Sequence, residues 1–185
     1  MTNRFRWSYS VSKEGIFMDA LKLIVEKELD VNCPIANFSI RENFNLNRNR
    51  TDYTGDGNLH IDHLTGNFSK LFLDRIETRP VGNVTLEIMR ATSDISLIEA
   101  FRALGREIEQ NLLSFQEIRK YLFQADRSLS HLFFVPAPPL DSRIFYPVYT
   151  FLNNTGWYIN VANTLKDEKS MKMYAKDWRL VVRKK

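Results

Sequence analysis

The period of the hydrophobic pattern changes several times along this chain, and each change marks an element. Residues 4–11 alternate aromatic and polar side chains, the pattern of a short strand. Over residues 13–30, Ile16, Phe17, Ala20, Leu21, Ile24, Val25 and Leu29 recur at steps of three and four, with Lys22, Glu26 and Lys27 off the stripe. That spacing predicts an amphipathic helix, broken at Cys33-Pro34 because the residue before a proline is driven out of the helical region. Residues 35–46 carry Phe38, Ile40, Phe44 and Leu46 at even spacing, the period of a strand, with a break near Glu42-Asn43. An Asn- and Arg-rich stretch over 43–53 has loop chemistry. Gly55-Asp56-Gly57-Asn58 then predicts a tight hairpin turn that leads Leu59, Ile61 and Leu64 into a strand.

Within 70–94 the pattern predicts two strands joined by a Pro-Val-Gly-Asn turn, the first holding Asp74 and the second Glu87. Ser96 and Glu99 have capping-box spacing, and Leu97, Phe101, Leu104, Ile108 and Leu112 follow at helical steps across Gly105. Ser114 and Glu117 repeat the spacing and restart the helix, with Phe115, Ile118, Leu122 and Phe123 as its apolar side, to about Asp126. His131 to Val135 is a continuous apolar run closed by Pro136, which predicts a strand buried on both faces. A third helix is predicted over 143–153, restricted by Pro147, then a strand over 157–161, a polar helical turn over 167–174 and a last strand over 178–183. This order predicts one α/β (α+β mixed) domain spanning 1–185, with a mixed β-sheet flanked by helices.

The composition, 44% hydrophobic and 26% charged over 185 residues, excludes a disordered or fibrous chain. No apolar run is long enough for a membrane helix, the N-terminus lacks a secretory apolar segment, and Cys33 is the single cysteine, so a cytoplasmic protein is expected. A Gly-rich phosphate loop, a G-x-S-x-G elbow and paired Cys-x-x-Cys knuckles are all missing from the sequence. The net charge of +4 is concentrated at the end, where Lys166, Lys169, Lys172, Lys176, Arg179, Arg183, Lys184 and Lys185 face only Asp167, Glu168 and Asp177. A basic segment of this kind suits DNA or RNA, because neutralising phosphates releases counterions; a solvated tail is the plainer alternative. Arg48, Arg50, Arg90, Lys176, Arg179 and Arg183 are the expected nucleic-acid contacts. Asp52, Thr54, Asp56 and Gly57 match part of a calcium loop, but His63 stands where a bidentate Glu is needed. His60 and Asp62 share one face of a strand while His63 takes the other, which makes a poor ligand set. With 13 Phe, 7 Tyr and 3 Trp, the chain also has aromatic residues enough for a core and a contact patch, so a non-enzymatic protein partner or a homodimer is the alternative reading.

Asp74 and Glu87, side by side on paired strands, would make a seat for a divalent cation. They stand thirteen residues apart across a turn, ahead of a Thr92-Ser93-Asp94 helix start and a later Phe133-Phe134-Val135-Pro136 strand. With the order of elements, these features resemble the PD-(D/E)XK nuclease fold over about residues 13–161. The resemblance implies a restriction-endonuclease-like core in which Asp74 and Glu87 hold Mg²⁺, polarise a scissile phosphate and generate hydroxide from bound water. It further implies a third carboxylate, Glu14 or Glu26, and a nearby cation. The family's lysine belongs two residues after the glutamate, where this chain has Met89; Arg90 points the other way, and Lys70, which shares the face of Asp74, is the substitute, with Arg75 the other neighbour. A nuclease-like protein that binds nucleic acid without cutting it is implied where that site is degenerate. The plain structural reading makes both carboxylates ion pairs of Arg75, Arg79 or Arg90 on a solvent face.

Overall fold

A computed structural model describes residues 23–44, 59–78, 82–104, 108–137, 141–162, 172–173 and 175–184. The strand expected over 4–11, the first part of the 13–30 helix and the 55–58 turn fall outside them. The second part of that helix is a strand. β1, Leu23–Cys33, pairs antiparallel with β5, Gly82–Ala91, from Leu23 opposite Ala91 to Cys33 opposite Gly82. Leu29, Val31 and Cys33 alternate onto the core. A ladder to a distant partner outweighs a helical stripe, and spacing within one segment carries no trace of that partner.

Of the strand expected over 35–46, only β2, Asn37–Ser39, is extended. Ser39 Oγ accepts from Glu42 N at 3.3 Å and caps a helical turn, α1, Ile40–Asn43. The turn gathers Phe38, Ile40 and Phe44 into one core, so their even spacing reflects a wrapped chain rather than a pleat. β3, Ile61–Leu64, forms as expected, but it pairs in parallel with β9, Trp157–Val161. After α2, Gly66–Phe68, a π-helical turn over Ser69–Leu73 takes up Lys70 and ends at Asp74. β4, Ile76–Thr78, pairs with β2. The hairpin expected within 70–94 therefore does not form, because each of its strands has a different partner.

The long helix over 97–112 is two pieces, α3, Leu97–Ala103, and α4, Ile108–Asn111. Both expected capping boxes are present, at Ser96 and Glu99 and at Ser114 and Glu117, the second opening α5, Phe115–Leu122. β7, Ser130–Ala137, is buried from His131 onward, as its unbroken apolar run requires. The helix expected over 143–153 is a strand, β8, Asp141–Leu152, antiparallel to both β7 and β9. Its Tyr, Val, Thr and Phe side chains suit a pleated surface. Pro147 is accommodated within it, its carbonyl accepting from Ala162 N at 3.1 Å. Of the polar helical turn, Lys172–Met173 is a short strand, β10, beside β6, Ile95–Ser96. β11, Trp178–Arg183, closes the fold as expected.

The main sheet runs β1-β5-β11-β7-β8-β9-β3, with β11 and β7 parallel, β3 and β9 parallel, and its other pairs antiparallel. The expected mixed sheet flanked by helices is thus present. Side chains alternate between two cores. On one face Leu86, Ile88, Phe133, Val148, Ile159 and Val181 meet α1, α2 and α5; on the other Met89, Leu132, Phe134, Leu180 and Val182 meet α3. Phe115 is the centre of the first, with its ring 5.7 Å from Phe44, 5.3 Å from Phe68 and 4.9 Å from Phe72. Edge-to-face packing of this kind adds to the area each ring buries.

His131 lies fully inside this core, with Nδ1 2.9 Å from Tyr121 Oη and Nε2 3.0 Å from the Asp126 carbonyl. Burial pulls its pKa down from 6.5 to about 4, against the opposing pull of the Asp126 carbonyl. Two outcomes are expected. Phe115→Ala lowers the unfolding free energy in urea by about 3–5 kcal/mol, the cost of a large core cavity. Between the unfolded value of 6.5 and about 4 the unfolded chain binds more protons at His131, so stability falls as pH drops through that window. Urea midpoints fall from pH 6.5 to 5, before most carboxylates titrate, and His131→Asn flattens that slope.

Candidate functional site

The nuclease pair is not brought together. Asp74 follows a π-helical turn whose Phe72 packs on the α5 face, and its own side chain is 77% exposed. It accepts from Arg41 Nε at 2.7 Å and pairs with the same guanidinium through Nη2. Glu87 lies on the opposite face of the sheet, across from Glu28 on β1 and Val182 on β11, beside Met89. Lys70 is exposed on the turn before Asp74. Two carboxylates on opposite faces of one sheet do not fit a shared Mg²⁺, whose ligands lie about 2.1 Å from the ion. Among the described residues no group of three or more His, Cys, Asp or Glu side chains gathers for a metal. Asp62 instead accepts from Asn153 Nδ2 at 3.0 Å, and hydrogen bonds from Asn153 and Thr155 hold its carboxyl below the usual range.

Of the expected phosphate-binding arginines, Arg90, Arg179 and Arg183 make ion pairs within the chain. Glu26, set in a bulge of β1, bridges Arg90 Nε at 2.9 Å and Arg179 Nε at 2.5 Å. Arg183 Nη2 donates to the buried Glu117 at 2.5 Å. Lys176 is exposed, and Arg48 and Arg50 fall outside the described residues. The charge cluster at the C-terminus thus has a structural use: β11 lies beside β5 and near β1, where acids await it. The outer edge at β1 carries that bulge and Lys27, both of which obstruct addition of a further strand.

An arrangement that sequence spacing did not disclose lies on the α3 face, beyond the helices. His63 on β3 and Tyr158 on β9 are register partners, as are Tyr158 and Phe151 on β8. Their rings stack, with centroids 4.7 Å apart in each pair and planes within 11° and 17° of parallel. The ring separation matches the spacing between strands, so the stack is the pleat expressed in aromatic side chains. Tyr149, hydrogen-bonded by Asn160, lies 6.1 Å from Trp178 on β11, whose β7 partner is the short Ser130. His63 is exposed, and Phe151, Tyr158, Tyr149 and Trp178 are half-buried. The β8 to β9 turn that sets this register is held by Asn153 Oδ1, which accepts from Thr155 N at 2.9 Å and Gly156 N at 2.8 Å. Gly156 has φ +152°, and a Cβ there would meet the His60 ring at 2.4 Å, so only glycine lets β3 approach the turn. Tyr149 and Phe151 stand two apart in the segment expected as a helix over 143–153, and their spacing does not place them beside Tyr158.

Arg183→Met is expected to cost about 2–4 kcal/mol in urea unfolding, because it strands the Glu117 carboxylate in the core. Unchanged stability would return Arg183 to the free surface cations. Compared with known proteins, the chain matches no family model, no curated protein and no solved structure.

Proposed function

We propose that this chain binds single-stranded nucleic acid by stacking bases against the aromatic row of the α3 face, without hydrolysing it. The observation that supports this most directly is the His63, Tyr158 and Phe151 stack, which ends in an exposed ring at the edge strand β3. A flat base continues such a stack at low cost, because every base offers a π-face. The segment between β9 and β11, which contribute Tyr158 and Trp178 to the row, carries Lys166, Lys169, Lys172 and Lys176 for the phosphates. Cutting by Mg²⁺ in a restriction-endonuclease-like core would need Asp74 and Glu87 together, and the Arg41 pair and the opposite placement of Glu87 count against it.

Fluorescence anisotropy with labelled oligo-dT and oligo-U tests the reading. Binding is expected to weaken as salt rises, and Tyr158→Ala is expected to lower affinity about tenfold at fixed salt. No binding at low salt, or equal binding by Tyr158→Ala, overturns it. Mg²⁺-dependent cleavage abolished by both Asp74→Ala and Glu87→Ala would replace it with the catalytic reading.

A further inference from the structure

At the other end of the α3 face the sheet and helices form a half-open pocket of about 390 Å³, within the range of small-ligand sites. Met89, Leu104 and Val182 form apolar wall, and Glu87, Asn111 and Lys184 supply its polar groups. Asn111 is 6% exposed, and among the described residues its side chain has no hydrogen-bond partner. Its amide atoms are not among the buried unpartnered ones; they face the pocket, where an arriving donor or acceptor can bond them in place of water. The Glu87 carboxylate also lacks a hydrogen-bond partner among the described residues. Lys184 does not supply one, because its Nζ donates to both oxygens of Glu28 at 2.7 Å. The Lys184 ammonium is thus held by Glu28, outside the lining, and leaves Glu87 as the one carboxylate among the lining residues.

We propose that this cavity binds a small amphipathic amine, with its ammonium between Glu87 and the Asn111 side-chain oxygen and its apolar body against Met89, Leu104 and Val182. A charge-assisted hydrogen bond to Glu87 in a partly dry site sets the preference for a cation over an anion of the same shape. The site is separate from the aromatic row and does not depend on nucleic-acid binding.

Calorimetric titration of the full chain with 4-phenylbutylamine and with 4-phenylbutanoate tests this. The amine is expected to bind saturably and the carboxylate about tenfold more weakly or not at all. Glu87→Gln, nearly isosteric, is expected to lose about tenfold of the amine affinity, and Asn111→Leu to weaken it too. Ala103→Phe, which fills the cavity, is expected to abolish binding, with circular dichroism confirming that each variant is folded. Failure of the amine to bind, equal binding of the carboxylate, or full amine affinity in both Glu87→Gln and Asn111→Leu overturns the proposal.

Discussion

At the start of α5, backbone N–H groups that a helix leaves unpaired lie inside the protein, and two buried carboxylates answer them. Glu77, from β4, accepts from Phe115 N at 2.8 Å and Gln116 N at 3.3 Å. Glu117 accepts from Ser114 N at 2.6 Å with one oxygen and from Arg183 with the other. Gln116 exchanges two hydrogen bonds of 2.9 Å with the backbone of Ile35. Acids are favoured at a helix N-terminus by the partial positive charge there, and burial raises the cost of leaving either side unmet. This one junction ties the small β2–β4 sheet, the segment after β1 and strand β11 to the helix that covers the core. It also explains Cys33. Burial, and secondarily the charge of Glu117, push its thiol up to about 11, so it stays protonated and packs.

The two faces of the sheet are covered differently. Phenylalanines from β2, α1, α2 and α5 fill the first layer. On the second, among the described residues, α3 and α4 meet only part of the sheet, beside a pocket over β5 and β11 and an aromatic row over β8, β9 and β3. The same alternation that sends Phe133 to one core and Phe134 to the other sends Glu87 to the cavity and Tyr158 to the row. Charge is divided in a similar way. Arg90 and Arg179 pair with Glu26 at the surface and Arg183 with the buried Glu117, while Lys176 is exposed. Guanidinium groups suit such fixed pairs because their donors are planar and preset.

Sequence alone determined what is local. The capping boxes at Ser96 and Ser114, the run from His131 to Val135, β3, β9 and β11 were all legible, because a cap, a fully buried run or an alternating segment states its own environment. Tertiary pairing decided the rest. Residues 23–30 and 143–152 have apolar spacing compatible with a helix, yet both are strands, since β5 and β7 offer them ladders along nearly their whole length. Asp74 and Glu87 are near in sequence but reach opposite faces, because β4 pairs with β2 while β5 pairs with β1 and β11. His63 and Phe151 are far apart in sequence but share one stack, because the register of β8, β9 and β3 puts them there. A backbone hydrogen bond between strands depends on which partner arrives, and that choice is made by the folded sheet as a whole.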